Sequence, residues 1–555
     1  MSAANATPAN GMTGLGLLDK RRYIAKPGFN RWLVPPCALA IHLCIGMAYG
    51  FSVFWLPLHK AIGISKSIDC PKDLGFFATV FSTTCDWKIS MLGWMFTLFF
   101  VFLGTASALW GGWLERVGPR KAGFAAAFLW CGGLVISAFG VTVHQIWLLW
   151  VGSGIIGGLG LGLGYISPVS TLIKWFPDRR GMATGMAIMG FGGGAMIGAP
   201  LADRLMKLFE TPTSVGVWQT FIVMAAIYFI YMIAGSLGYR LPAPGWRPKG
   251  WEPKPRTALI TARNVDLNVA SVTPQFWFVW LVLTLNVTAG IGIIGMASPL
   301  LQEVFGGRLI GVNAPFEQLT QAQHAAIATL AAGFTGLLSL FNIAGRFCWA
   351  SFSDYIGRKP TYMVFFLLGI ALYGSIPWTA ATGNMALFVG FFCIIISMYG
   401  GGFATVPAYL ADLFGTRMVG AIHGRLLTAW SAAGIFGPVI VNYIREYQLG
   451  HGVAHAQVYT ITMYILAGIL VLGLVSNILV RPVAEKNFMS PAQEAALDAS
   501  AGAQSGAAGA STAPAADGTP SPAWMVTLAW LAVGIPIAIG VLVTLRQAAK
   551  LFGLA

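Results

Sequence analysis

Long apolar runs alternate with short polar segments along most of this chain. Six runs lie within residues 32–238 and six more within residues 274–480. Each is close to or above the length of about 20 residues that a helix needs to cross a hydrocarbon core. The runs fall at about 32–58, 89–110, 122–141, 145–168, 182–203, 217–238, 274–301, 325–350, 361–381, 385–410, 421–443 and 457–480. This pattern predicts an all-α integral membrane protein with two sets of six spanning helices.

The polar segments set the remaining boundaries. Residues 1–31 form an N-terminal tail, and residues 239–273 form a connector rich in Lys, Arg and Pro that we expect to lie outside the membrane. Residues 481–522 are rich in Ala, Gly, Ser and Pro, a composition typical of a flexible linker. A thirteenth apolar run at 523–545 is long enough to span, and residues 546–555 form a last tail. We interpret this run as an accessory helix that contacts a partner protein; a helix lying on the membrane surface is the alternative.

Composition agrees with a membrane location. Hydrophobic residues make up 56% of the chain and charged residues 10%, against about 25% charged residues in soluble domains. The net charge of +15 does not indicate a nucleic-acid partner, because the basic residues are dispersed over short loops. Lys and Arg are more frequent in the segments that would share a side with the N-terminus. This bias predicts a protein of the cell (inner) membrane with a cytoplasmic N-terminus.

Arg346 is a charge inside the eighth apolar run. It lies eight residues before Asp354, which places it about 12 Å from the following polar turn, well within the membrane core. A guanidinium cannot lose its proton there, so it must face protein, water or an anion. The sequence therefore predicts a functional cation; an Arg that extends to the headgroups is the alternative.

A loop motif occurs twice with an offset of 239 residues. In the first half it contains Gly112, Glu115, Gly118, Arg120 and Lys121. In the second half it contains Asp354, Gly357, Arg358 and Lys359. A second pair of echoes, Gly181 with Gly420 and Gly185 with Gly424, keeps the same offset. Two parallel halves related by an axis along the membrane normal would give this repeat.

The acidic residue, glycine and basic residues after the second helix of each half resemble the signature loop of the major facilitator superfamily of secondary transporters. The resemblance implies a twelve-helix major facilitator fold of two six-helix halves, here with a thirteenth C-terminal transmembrane helix. The carboxylate of Glu115 or of Asp354 can pair with Arg side chains and helix ends across the cytoplasmic gate and hold one conformation until substrate shifts the balance. The alternative is an ordinary tight turn with solvated charges.

Within that superfamily, residues 30–36 and 340–346 resemble the oxalate/formate antiporter family, and the resemblance covers residues 30–480. That family exchanges small carboxylates and uses an Arg in the eighth helix and a Lys in the eleventh, flanked by aromatic residues. Arg346 fits the first charge, but Trp430 stands where the Lys is expected. One Arg balances one carboxylate, so this departure weakens the expectation of a doubly charged substrate such as oxalate.

Further residues are candidates for the cavity around Arg346. Tyr and Trp donate hydrogen bonds while their rings exclude water; for any single ring, plain helix packing is the commoner role. The substrate-binding candidates are Arg346, Tyr49, Tyr165, Tyr399, Phe403 and Trp430. Arg425 is either a second cation of this site or an Arg that extends to the cytoplasm.

The distribution of titratable groups bears on the mechanism. The sequence shows no Asp or Glu near the middle of an apolar run, which favours anion exchange over a symport driven through a carboxylate. His42 is a candidate proton site near the middle of the first helix, or else a neutral packing residue.

Cysteine spacing predicts one cross-link and no metal site. Cys70 and Cys85 share a long periplasmic loop and are candidates for a disulfide. The seven cysteines have no metal-ligand spacing, and no nucleotide-binding or enzymatic motif is present. We therefore expect no metal, no cofactor and no enzymatic activity.

Three functional hypotheses remain. The first is a secondary transporter that exchanges small carboxylates across the lipid bilayer by alternating access. The second is a proton-coupled monocarboxylate symporter that uses His42. The third is a transporter-like sensor or scaffold that acts through residues 523–545.

Overall fold

A computed structural model describes residues 16–64, 67–68, 70–71, 74–243, 245–248, 250–251, 260–261, 263–503 and 520–551. Within these ranges, a helix coincides with each of the thirteen apolar runs, and twelve helical segments are long and apolar enough to cross a membrane. The thirteen helices are α1 Val34–Ile45, α2 Ile89–Val117, α3 Pro119–Thr142, α4 Ile146–Trp175, α5 Arg180–Phe209, α6 Val217–Gly238, α7 Pro274–Phe305, α8 Gln321–Ile356, α9 Arg358–Ala381, α10 Met385–Phe414, α11 Val419–Gly450, α12 Thr460–Leu479 and α13 Ala523–Leu551. The predicted all-α architecture is confirmed.

Three of these helices are irregular. Helix α1 continues as the 3-10 segment Gly46–Phe54 and the short helix Trp55–Leu58. Helix α4 contains the π-helical segment Trp150–Gly157, and α11 is interrupted at Leu427. Local changes of helix type re-aim the side chains on either side of them, and such segments are common at functional sites.

The repeated motif ends the second helix of each half in the same way. Gly118 closes α2 with a φ of 88°, and Gly357 closes α8 with a φ of 91°. Residues with a Cβ rarely adopt this backbone conformation, which explains why both loops carry glycine at this position. A Cβ at Gly118 would also collide with the hydroxyl of Tyr23. Burial raises the pKa of Tyr23 to about 12, so this hydroxyl stays protonated.

The two halves meet along two seams. In the first seam α5 packs on α8, where Gly181 and Gly185 lie against backbone oxygens of Ala350 and Arg346. In the second seam α11 packs on α2, where Gly424 lies against the backbone oxygen of Ser107. Glycine lets two helix backbones approach closely.

We call the end of the molecule that carries Glu115 and Asp354 the motif face. There the Asp354 carboxylate accepts hydrogen bonds from the backbone N–H groups of Gly181 at 2.8 Å and Met182 at 2.9 Å, at the start of α5. Arg180 of the first half donates to Asp412 of the second at 3.0 Å. These contacts cross between the halves, so the motif face is closed.

Helix α13 packs on its own chain along the first seam. It contacts α1, α5 and α8, so it touches both halves. The indole nitrogen of Trp530 donates to the backbone oxygen of Trp32 at 3.1 Å near the motif face, whereas Gly540 lies against Met196 in α5. Met196 is sixteen residues from the start of α5, about 24 Å along the helix. Helix α13 therefore runs along the membrane normal, as a spanning helix does, rather than along the membrane surface.

The face opposite the motif face carries the disulfide between Cys70 and Cys85. In the same loop, the Asp86 carboxylate accepts backbone hydrogen bonds from Ile62 and Ile68 at 2.7 and 2.8 Å. A second cluster on this face joins three helices of the second half, because Arg445 and Tyr459 both donate to the buried carboxylate of Glu303.

Close packing of α8 on α10 gives a test of the fold. A Cβ at Gly345 would collide with the backbone of Ser397, whereas none of the described atoms lies within 4 Å of a Cβ at Gly374. We expect Gly345→Val to lower the unfolding free energy by about 3 kcal/mol and Gly374→Val to change it by less than about 1 kcal/mol. Thermal unfolding in detergent measures both, and equal losses in the two variants would contradict the packing described.

Candidate functional site

Arg346 lies at the centre of the molecule and is fully buried. Its Nε donates to the Oδ1 of Asn342 at 2.9 Å, one turn earlier on α8. Its Nη1 and Nη2 have no hydrogen-bond partner among the described residues. A buried guanidinium that keeps two donor groups free is costly unless a ligand pairs with them.

Aromatic rings from both halves surround the guanidinium. The centroid of Phe403 in α10 lies 5.3 Å from the Arg346 Cζ, and that of Phe191 in α5 lies 5.8 Å from it. Trp430 of α11 packs against both rings, with centroid distances of 4.2 Å to Phe403 and 5.3 Å to Phe191. Such rings stabilise the cation through their faces and exclude water.

Three tyrosines complete this aromatic wall. The ring of Tyr165 in α4 lies 5.3 Å from that of Trp430. The hydroxyls of Tyr49 and Tyr399 lie 3.1 Å apart and join the two halves across the site. The hydroxyls of Tyr49 and Tyr165 also lie near the Arg346 guanidinium, without meeting hydrogen-bond geometry to it. The structure thus brings together all six residues that the sequence proposed for substrate binding.

Several donors in this cluster have no partner. Besides the two Nη groups of Arg346, the indole nitrogen of Trp430 and the hydroxyl of Tyr165 are buried and unbonded within the described ranges. Each such group costs about 1–3 kcal/mol when it is left unpaired. The arrangement offers one positive charge and several hydrogen-bond donors, which suits a small anion that carries one carboxylate. Within the described chain, no group of three His, Cys, Asp or Glu residues could hold a metal ion.

His42 lies behind Tyr165 and is fully buried. Its Nδ1 contacts the backbone oxygen of Ala187, and its Nε2 lies 3.1 Å from the backbone oxygen of Tyr165. A neutral imidazole donates through only one nitrogen. Both carbonyl oxygens therefore receive a hydrogen bond only when His42 carries a second proton.

The gate-motif residues lie at the motif face. Arg358 bonds both Asp354, at 2.6 Å, and Asp412, at 3.2 Å. Glu115 accepts from Ser170 at 2.8 Å and Lys174 at 2.6 Å, both in its own half. The pairing across the halves is thus made by Asp354 rather than by Glu115.

The other basic residues of the motif hold loops within one half. Arg120 donates to the backbone oxygens of Leu17 and Leu237, and Lys359 donates to that of Val480. Lys121 is exposed, and Gly112 lies beside Leu267 of the connector.

Arg425 does not reach the aromatic cluster. It donates to the backbone oxygen of Leu267 at 3.2 Å, to Ser271 at 2.7 Å and to Asn268 at 2.7 Å, all in the connector helix Leu267–Val272. Its role is to fasten the connector to α11.

Sequence reasoning missed Phe191, Asn342 and His423. Phe191 precedes Trp430 by 239 residues, the offset of the internal repeat, so the repeat would have found it. Asn342 lies one helical turn before Arg346, and this spacing is a signal for a side-chain pair. His423 is buried in α11 with neither ring nitrogen bonded among the described residues.

Comparisons with known proteins agree with this architecture. Residues 73–438 match the family described as the Major Facilitator Superfamily. The chain is 24% identical over 409 residues to the oxalate:formate antiporter of Oxalobacter formigenes, covering 74% of this chain and 83% of that protein. It is 25% identical over 393 residues to apicoplast pyruvate carrier 1 of Toxoplasma gondii, covering 61% of this chain and 66% of that one.

Solved structures show the same fold. The crystal structure of the human organic anion transporter MFSD10 (TETRAN) matches with a TM-score of 0.54 at 15% identity, covering 82% of this chain and 100% of that chain.

The unbonded indole of Trp430 gives a stability test. Trp175 is also buried, but its indole donates to the backbone oxygen of Arg240 at 2.7 Å. Replacing either Trp by Phe removes the same volume, and only Trp175→Phe removes a hydrogen bond. We expect the unfolding free energy of Trp175→Phe to lie about 1–2 kcal/mol below that of Trp430→Phe. Thermal unfolding without added ligand measures the difference, and a lower stability of the Trp430 variant would show that its indole is bonded.

Proposed function

Because the chain belongs to the Major Facilitator Superfamily, as its repeated loop predicted, we propose that it is a secondary transporter that exchanges small carboxylates. The observation that carries this proposal is Arg346, which is fully buried and whose Nη1 and Nη2 have no hydrogen-bond partner among the described residues. The fork of a guanidinium matches the two oxygens of a carboxylate, which gives charge pairing and orientation together. The names of the antiporter and of the pyruvate carrier support a carboxylate substrate.

The single charge of the site favours a monocarboxylate. Trp430 supplies a neutral donor where the oxalate/formate antiporter family has a Lys, and Phe403 and Phe191 enclose the guanidinium with apolar surface. A small monocarboxylate would neutralise Arg346 and place its carbon body against these rings. A dianion would leave one negative charge without a partner in an apolar site, which is costly.

Exchange follows from the cost of enclosing a charge. Closing two six-helix halves around an unpaired guanidinium buries a charge at a high free-energy cost. Closing them around a guanidinium–carboxylate pair has a lower cost. Reorientation would therefore require a bound anion, and each transport step in one direction would be matched by one in the other. The motif face, held closed by Asp354, would be the cytoplasmic gate, which agrees with the positive-inside distribution of Lys and Arg.

The test is exchange in proteoliposomes loaded with one unlabelled carboxylate, with labelled formate, lactate or oxalate added outside. We expect Arg346→Gln to lower exchange by about 100-fold or more, because the anion loses the counter-charge that Arg346 supplies. Arg425→Gln is the control, since that residue bonds to the connector away from the site. Exchange in Arg346→Gln at the rate and affinity of the natural protein would sink the proposal.

Proton-coupled symport is the second candidate, because the two carbonyl oxygens that flank His42 suit a doubly protonated ring. If exchange is the mechanism, we expect uptake by His42→Gln to persist with the proton gradient collapsed, at within about threefold of the natural rate. Symport would be established instead by two results together. The natural protein would take up substrate only under an inward proton gradient, and uptake by His42→Gln would no longer depend on that gradient.

A further inference from the structure

The second seam contains a buried imidazole that the proposed function does not use. His423 is fully buried in α11, and neither of its ring nitrogens has a hydrogen-bond partner in the described part of the chain. It stands between Gly420 and Gly424, whose added Cβ atoms would collide with Glu115 and with the backbone of Ser107 in α2. Residues three and four apart share a helix face, so His423 faces the seam between the halves.

His423 lies between the Arg346 site and the motif face. It precedes Trp430 by seven residues, on the other side of the interruption at Leu427. Tyr165 separates the two, with ring centroids 5.3 Å from Trp430 and 6.0 Å from His423. One turn further, Gly420 approaches the carboxylate of Glu115 at the gate.

The internal repeat identifies the residue that occupies the position of His423 in the first seam. With the offset of 239, His423 corresponds to Thr184, and Tyr165 corresponds to Ala404. The Thr184 hydroxyl donates across the seam to the backbone oxygen of Ala404 at 2.6 Å. The equivalent position in the second seam thus has an imidazole beside Tyr165 in place of a hydrogen bond between the halves.

An unpaired buried imidazole is unfavourable in the closed state. Each unsatisfied polar group costs about 1–3 kcal/mol, and such groups in native proteins call for a functional explanation. Opening the motif face would separate α11 from α2 and α4, and His423 would then line the path from Arg346. Its polar atoms would find a partner only in that state.

We propose that His423 is a second carboxylate-binding station, which takes the substrate after it leaves Arg346 and before it passes the gate. This inference rests on the proposed function. A neutral imidazole N–H donates one hydrogen bond to a carboxylate oxygen. The charged and titratable groups nearest the station are His42, behind Tyr165, and Glu115, which is already paired with Lys174. Glu115 therefore does not compete with the substrate for His423.

The experiment measures the KM of exchange separately from each face. Membrane vesicles of both orientations contain the full-length protein, and trypsin cleavage in the basic connector reports which face is outside. The probes are labelled formate, lactate and oxalate. We expect His423→Leu to raise the KM from the motif face about tenfold and to leave the KM from the opposite face within twofold. His423→Gln, which keeps a donor, should restore the motif-face KM to within about threefold.

Thr184→Val is the matched control, because it removes the hydrogen bond at the equivalent position of the first seam. We expect Thr184→Val to leave the ratio of the KM values from the two faces unchanged. If His423→Leu fails to fold, His423→Phe, which keeps a ring beside Tyr165, replaces it. No change in KM, or equal changes from both faces, would overturn the inference and leave the proposed function standing. Absence of exchange of all three probes by the natural protein would overturn both.

Discussion

A positive charge that cannot be removed sits in the apolar centre of this protein, and much of the surrounding structure follows from it. Arg346 cannot be neutralised by losing its proton, so its surroundings must supply compensation. Asn342 accepts from one nitrogen, and aromatic faces from both halves cover the guanidinium. Two donor groups are left for a ligand. The described protein groups leave part of this charge uncompensated, and under the proposed function a bound carboxylate would complete the pairing as the halves close.

The two seams hold the motif face closed by different means. In the first seam, Asp354 receives backbone N–H groups of the opposite half, and Arg180 pairs with Asp412 across the interface. In the second, Glu115 is bonded within its own half, glycines let the helices approach closely, and Ser431 of α11 donates to the backbone oxygen of Phe100 in α2 at 2.6 Å. The internal repeat thus preserves the geometry of the loops but not their chemistry. At the motif face, polar contacts link α5 to α8 and to α10, and α13 also packs on α5 and α8.

Much of this structure could be predicted from local patterns. Run lengths specify the helices because the bilayer sets a minimum span, and the distance from Asp354 places Arg346 within the membrane. The offset of 239 residues relates the two halves. Applied to Trp430, the same offset leads to Phe191, so the repeat predicts both rings of the site. The partners of His42 and Arg425 could not be predicted, because they depend on which helix faces meet after packing. His42 contacts backbone oxygens of distant helices, which carry no sequence signal, and Arg425 bonds to a connector helix more than 150 residues away in the sequence.

Helix α13 adds a constraint on how the halves can move. Its start is tied to the N-terminal tail, because the Ser521 backbone N–H donates to the oxygen of Gly28 and Trp530 donates to that of Trp32. Its body packs on α1 and α5 of the first half and on α8 of the second. A rocking motion that separated α5 from α8 would have to break this contact or carry α13 with one half. Among the described residues, α13 packs on α1, α5 and α8 and not to a comparable extent on α2 or α11, so the second seam, which contains His423, has fewer restraints.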